Sequence, residues 1–169
     1  MSDETQKIFD QLAAPFPSEC VAWRVGPTND KSRKPDDPVR GQPLAYIDAR
    51  TVMDRLDSVV GWDCWQNSYS AGVGSSIVCN IGVRIANDWI WKSDGAGASD
   101  TEPEKGMLSD AFKRAAVRFG IGRYLYELHA PWIVLAQRGK FTYIPDDVFP
   151  KLAALHDREA KRLRGPQVA

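Results

Sequence analysis

Residues 76–85, SIVCNIGVRI, alternate strictly: Ile77, Cys79, Ile81, Val83 and Ile85 fall on one side, and Val78, Asn80, Gly82 and Arg84 on the other. An extended chain sends successive side chains to opposite faces, so the pattern is that of a half-buried strand in an antiparallel sheet. The Asn87-Asp88 pair behind it suits a two-residue hairpin turn. Such a turn would set Ile85 against Ile90 on the core face, and Arg84 against Trp91 on the other face with Trp89 beside it. WDCWQNSY, residues 62–69, reads as the strand before, and WIWKS, residues 89–93, as the strand after. A three-strand meander therefore occupies the middle of the chain.

The flanks follow from local signals. Ser2 and Asp3 can cap a short helix that buries Ile8, Phe9 and Leu12, and Pro15 and Pro17 end it. SECVAWRVG, residues 18–26, reads as a strand, and the proline-rich, mixed-charge stretch Pro27–Pro43 as a long loop. An apolar stripe of Ile47, Val52, Leu56, Val59 and Val60 predicts a helix from Tyr46 to Val60, stopped by Gly61. Behind the central strands come an apolar PWIVLA segment, a short KFTYI strand, and a helix from Pro145 to Arg164 on which Val148, Leu152 and Leu155 recur. The fold class predicted is α+β: an antiparallel β-β-β-α core with flanking helices. Residues 1–145 are expected to form one core domain, and residues 146–169 a C-terminal helix with a frayed tail.

The helix of that core begins near Pro103 and includes DAFKRAAVRFGIGRYLY, residues 110–126. On a helical wheel Leu108, Ala111, Phe112, Ala115 and Phe119 share a face that should pack on the sheet. Lys113 and Arg114 fall opposite, Arg118 toward one edge, and Asp110 within reach of Arg114. Gly120 and Gly122 break the helix, so Arg123, Tyr124 and Tyr126 follow a sharp turn. Lys113 to Arg123 contains no acid, although the chain as a whole carries zero formal charge. A solvated outer face is one explanation. A local basic surface with neighbouring tyrosines, suited to phosphates and stacked bases, is the other.

Zero net charge excludes a protein that coats nucleic acid by bulk charge, but not one with a local basic groove. The six tryptophans are expected mostly in the core or in interfaces. Cys20, Cys64 and Cys79 give neither a disulfide framework nor a CxxC site, and read as free thiols in a reducing compartment. MSDETQK does not read as a signal peptide, and no apolar run approaches the roughly 20 residues of a membrane helix. The expected location is the cytoplasm of a bacterial or phage-infected cell, in association with the nucleoid.

Several motifs then occur in a fixed order. Trp23-Arg24-Val25-Gly26 precedes the loop, and Ala45-Tyr46-Ile47-Asp48 opens a helix. Val60-Gly61-Trp62-Asp63 enters the sheet, and Asp110-Ala111-Phe112-Lys113-Arg114-Ala115 runs on to Phe119-Gly120. This series, with the Gly120–Tyr126 ending GIGRYLY, resembles the Rad52/Rad22 family of single-strand annealing proteins, in particular its short bacterial and phage-type members. The likeness extends over about residues 19–128. It implies subunits assembled side by side into a ring, with a basic groove that holds single-stranded DNA by its backbone and leaves the bases free to pair. It also implies that Arg24, Lys113 and Arg114 touch phosphates, with Arg118 and Arg123 extending the same surface.

The chain departs from the family's pattern in three places. Val117 stands where many eukaryotic members have a third basic residue. Gly74-Ser75-Ser76 offers no counterpart to the lysine of their outer DNA site. Their long recombinase-binding tail is not seen here.

Lys34, Arg40, Arg84, Tyr124 and Tyr126 are further candidates for contacts to DNA or between subunits. Arg84 with Trp89 and Trp91 suggests a cation–π cluster. The partners implied are single-stranded DNA and the chain itself, with a single-strand-binding protein or a recombinase as further candidates, and no membrane. Annealing needs no covalent chemistry, so neither a catalytic residue nor a cofactor or metal is expected. The glycine-rich stretches Ala71–Ser76 and Gly95–Ser99 lack the Lys-Ser/Thr of a phosphate-binding loop. His129 and His156 lack the spacing of a zinc site. Two alternatives remain: a metal-dependent nuclease using Asp88, Asp94, Asp100, Glu102 and Glu104, or a structural oligomer whose basic helix is incidental.

Overall fold

The structure, a computed structural model, describes residues 2–97, 103–139 and 141–164. In chain order the elements are α1 (Asp3–Ala13), β1 (Ala22–Thr28), β2 (Arg40–Tyr46), α2 (Ala49–Val60), β3 (Trp65–Ala71) and β4 (Ile77–Ile85). They continue with β5 (Asp88–Ala96), α3 (Pro103–Val117), β6 (Ile133–Val134), β7 (Ala136–Arg138), β8 (Phe141–Tyr143) and α4 (Phe149–Arg164). The chain is mixed α+β, with antiparallel pairing in the orders β1-β2-β6, β3-β4-β5 and β7-β8. It divides into two compact units: Met1–Ala14 with Ile47–Arg123, and Pro15–Tyr46 with Tyr124–Ala169.

The first unit holds the predicted meander. Cys79, Ile81, Val83 and Ile85 are buried on one face of β4, and α3 packs against β4 and β5. Phe112 of α3 meets Trp65 of β3 with ring centroids 6.0 Å apart. The turn lies one residue earlier than the sequence suggested. Ile85 pairs with Asp88, Arg84 with Trp89 and Gly82 with Trp91, so Ala86 and Asn87 form the turn. Ala86 takes the left-handed conformation there, with φ of 55°. Moving the turn by one residue slips the register by two, and an even slip keeps every side chain on its expected face.

Helix α1 begins at Ser2, whose hydroxyl accepts from the Thr5 N–H, and ends with its last carbonyls held by Arg55 of α2. One guanidinium nitrogen of Arg55 donates to the carbonyls of Gln11, Leu12 and Ala14 at 2.9, 3.2 and 2.7 Å. Cationic donors at a helix C-terminus satisfy orphan carbonyls and favour the dipole. Helix α2 starts at Ala49 rather than Tyr46, because Asp48 is its N-cap and accepts the Thr51 N–H at 2.8 Å. That bond, more than the burial opposing it, holds the Asp48 carboxyl below its usual value.

Helix α3 proper ends at Val117, and Phe119 follows in the turn. Of the expected inner face, Ala111, Phe112, Ala115 and Phe119 are buried, but Leu108 is 39 % exposed and Ala116 takes the inward place.

The second unit corrects two further expectations. Ser18–Cys20 is a 3-10 turn, in which the Cys20 N–H reaches the Pro17 carbonyl, so the strand starts only at Ala22. The stretch 27–43 is a loop only between Asn29 and Val39, because from Arg40 it pairs with β1 as β2. The loop is ordered by Arg33, whose guanidinium binds Asp30 and the carbonyls of Lys34, Pro35 and Asp37. Val39, Ala130, Leu135, Ile144 and Leu152 form the core of this unit. PWIVLA supplies β6 and β7, and β6 extends the β1-β2 sheet.

None of the six tryptophans is fully buried: Trp62 is 81 % exposed, Trp91 48 % and Trp132 47 %. Cys20, Cys64 and Cys79 are free thiols. The expected fraying of residues 165–169 lies outside the described residues, as do Ser99, Asp100, Glu102 and Lys140.

Candidate nucleic-acid interface

Strand β5 is an edge strand, and its register decides which side chains emerge beside α3. Cys79 pairs with Asp94 and Ile81 with Lys92, so Lys92 and Asp94 share the face that α3 covers. At the edge of that face they leave the core and meet the end of the helix.

Asp94 joins the cluster together. Its Oδ1 accepts the Gly95 N–H at 2.8 Å and Arg114 Nε at 3.2 Å, while its Oδ2 accepts Arg118 Nε at 3.2 Å. Arg114 lies in the last turn of α3 and Arg118 in the turn that follows, and their side chains are 52 % and 57 % exposed. Burial alone would raise the Asp94 carboxyl, but the Gly95 amide and the two guanidiniums outweigh it and hold the group below its usual value. A lowered folded pKa adds stability that is complete above the unfolded value of about 4 and is lost as pH falls through the folded value. Asp94→Asn should therefore lower the melting temperature by about 2–4 °C at pH 7, for an exposed network worth roughly 1 kcal/mol. The difference should close as the pH falls below about 4 and through the folded value, and a gap that stays constant with pH would exclude the ionised carboxylate as its source.

Lys113 lies on Asp110 at 3.0 Å and is 27 % exposed, so Asp110 serves Lys113 and not Arg114. Arg123 folds back on the helix end, its guanidinium donating to the Val117 carbonyl at 3.0 and 2.8 Å and to that of Arg118 at 3.1 Å. Lys92 Nζ reaches the same Arg118 carbonyl at 2.8 Å and lies 5.0 Å from the Phe119 ring centroid. Burial first, then Arg123 and Arg118, push the Lys92 ammonium below its usual value. Trp91, Lys92, Ser93, Arg118 and Arg123 line an open groove. Its walls offer cationic donors and one half-exposed indole, a combination suited to an anionic, aromatic polymer.

On the other face of the sheet, Trp91 lies across Gly82, where a Cβ would come within 2.9 Å of the ring. Trp89 stands 6.1 Å from Trp91 and 6.0 Å from the Arg84 guanidinium, as the sequence pattern suggested. Arg84 also binds Cys64 Sγ at 3.1 Å and Asp63 at 3.4 Å.

The remaining candidates belong to the second unit. Arg24 is exposed on β1 opposite Leu44. Lys34 is exposed in the loop, and Arg40 opens β2 with its N–H on the Asn29 side chain. Tyr124 is half-buried, its hydroxyl 2.8 Å from His156 Nε2 and accepting the Phe16 N–H at 3.1 Å. Tyr126 is 67 % exposed.

The structure thus gathers Arg114, Arg118 and Arg123 with Lys92 and Asp94, and sets Lys113 beside them on α3. Sequence reasoning missed Lys92 as a member of this cluster, although its alternation with Ile90 was a usable signal. It placed Asp94 only among the acids of a candidate metal-dependent nuclease. Among the described residues no three His, Cys, Asp or Glu side chains gather as a metal site. The side chains of Asp100, Glu102 and Glu104 lie outside that statement. Among the described residues no helix is long and apolar enough to cross a membrane.

An antiparallel meander backed by a helix with a basic end is the arrangement the ordered motifs had implied. The chain belongs to the Rad52/22 family of double-strand break repair proteins, whose model matches residues 4–140. It is similar to the single-stranded DNA-binding protein DdrA of Deinococcus deserti, 40 % identical over 129 residues, which cover 75 % of this chain and 60 % of that protein. It is also similar to DdrA of Deinococcus radiodurans, 36 % identical over 127 residues, or 74 % of this chain and 57 % of that one. The chain therefore spans less than two thirds of the length of these curated relatives. No solved structure matches it.

Proposed function

We propose that the chain binds single-stranded DNA by its phosphates and anneals complementary strands without nucleotide or metal, in homologous recombination and double-strand break repair. The observation that carries this is the exposed pair Arg114 and Arg118, with Lys113 beside them, at the end of one helix in a chain of zero net charge. Family membership and the single-strand binding named for the two DdrA relatives support it. Annealing requires that phosphate repulsion be lowered while the Watson–Crick edges stay free. Backbone contacts from arginine and lysine do this with no sequence readout.

In this proposal Arg24, Lys113, Arg114, Arg118 and Arg123 contact phosphates. Lys34, Arg40, Arg84, Tyr124 and Tyr126 are further contacts to DNA or between subunits. Residues 1–145 make the annealing core, and residues 146–169 extend it. Subunits assemble side by side into a ring. The exposed Trp89 and Trp91, 6.1 Å apart, support self-association, since large apolar side chains gathered at a surface mark interfaces. The setting is the bacterial cytoplasm near the nucleoid, with a single-strand-binding protein or a recombinase as further partners.

The test mixes the protein with two complementary oligonucleotides, one carrying a fluorophore and the other a quencher, in buffer with chelator and no nucleotide. Quenching should accelerate in proportion to protein up to saturation of the strands. Pairing at the spontaneous rate would reject annealing, and cleavage of either strand once magnesium is added would point to the nuclease.

A further inference from the structure

From the geometry we propose that Asp94 is a positioning residue for single-strand binding: its carboxylate holds Arg114 and Arg118 side by side as a paired phosphate fork. This rests on the proposed function. An acid in the middle of a phosphate-binding surface would ordinarily be expected to weaken it. The contacts indicate the opposite.

Arg114 and Arg118 come four positions apart at the end of one helix, so two like charges meet there and repel. Left alone, each long side chain would sample many rotamers and lose that freedom on binding a phosphate. Asp94 removes both costs. It stands on β5, a different element, and its own carboxylate is fixed by the Gly95 N–H. One oxygen takes Arg114 and the other takes Arg118, both at 3.2 Å. The carboxylate engages Nε and Nη2 of Arg114 and Nε of Arg118. The other N–H donors of the two guanidiniums are not bound to it, and both side chains are more than half exposed. A guanidinium has five donors in a fixed fork, so an arginine bound to one carboxylate can still bind a phosphate. The triad keeps a net positive charge, and its direction is set before any strand arrives.

The same contacts bear on Val117, which stands where many eukaryotic members carry a basic residue. Arg118, the next residue along, could not point where residue 117 points if both were helical. Its four-residue spacing from Arg114 puts it on the Arg114 stripe instead, and Asp94 holds it there.

Fluorescence anisotropy of a labelled oligo-dT 30-mer tests this in two backgrounds. In the otherwise native chain, Asp94→Asn should weaken binding about threefold to tenfold, although it adds a unit of positive charge. Asn is isosteric and retains an acceptor for the Gly95 N–H, so the fold should stand. In the Arg114→Ala/Arg118→Ala background the same change should no longer weaken binding and should slightly strengthen it, because only the bare charge remains to be felt. Asp94→Glu keeps the charge but displaces it by one methylene. It should leave the melting temperature near that of the parent and weaken binding about threefold.

Equal or tighter binding by Asp94→Asn in the native background would overturn the proposal, making the acid a competitor of phosphate. Equal weakening in both backgrounds would also overturn it, making the role structural. If the parent chain itself fails to bind the 30-mer at low salt, the proposed function falls instead, so the two failures are distinguishable.

Discussion

Lys113→Ala combined with Arg114→Ala is expected to reduce affinity for single-stranded DNA about thirtyfold, at roughly 1 kcal/mol for each exposed charge-assisted contact. The loss should be the same for oligo-dT and for mixed sequences, because phosphates carry no sequence. Each phosphate contact to a single strand adds about 0.7 to the slope of log affinity against log salt, so the slope should become shallower by about 1.4. Both residues lie off the buried face of α3, Lys113 with Asp110 and Arg114 with Asp94 at the sheet edge. Neither is buried, so melting temperature and oligomer mass should change little. Titrations at several salt concentrations check this. An unchanged slope, or a loss confined to one sequence, would show that these cations do not touch phosphates.

Gly120→Ala should have the largest effect on stability, about 3 kcal/mol, or near 10 °C of melting temperature for a chain of this size. Two costs combine. Gly120 has φ of 93°, a conformation that side chains rarely adopt, and a Cβ there would stand 2.8 Å from the Cβ of Ala13 at the end of α1. The residue lies where the chain leaves α3, between Phe119 and Ile121, both buried. Strain would therefore reach both the helix end that carries Arg118 and the carbonyls held by Lys92 and Arg123. Urea denaturation measures the loss. Ala13→Gly in the same chain should recover the part due to the clash and none of the part due to φ. A melting temperature within about 2 °C of the parent would show that the turn has room to yield.

Much of the first unit was legible in advance. The alternation of residues 77–85 set the strand and its two faces, and the slip of the turn to Ala86-Asn87 left those faces intact because it changed the register by an even number. Ser2 and Gly61 marked helix ends through local chemistry, and the structure keeps both. The second unit was less legible. Arg40–Tyr46 is glycine- and proline-containing and looks like a loop until β1 supplies its partner. A strand of that composition is specified by pairing across the sheet and not by its own propensity. The tryptophans were expected in the core or in interfaces, and within one chain the Trp89 and Trp91 face is left open.

The basic helix divides along the same line. By itself the sequence determined that Lys113 and Arg114 lie off the buried face of the helix, that the stretch from Lys113 to Arg123 has no acid, and that the ordered motifs place the chain in its family. These are properties of spacing and residue type, which a helix converts to direction with little outside help. Only the tertiary structure decided the partners. Asp94 meets residues 20 and 24 positions away and Lys92 one 26 away. Contacts at that separation depend on the strand register, and the register depends on which two residues make a turn. A change of one residue in the turn costs little locally, yet it moves the partners of every residue along β5. That is why the sequence could count the charges on this surface, while the acid that arranges them came into view only with the fold.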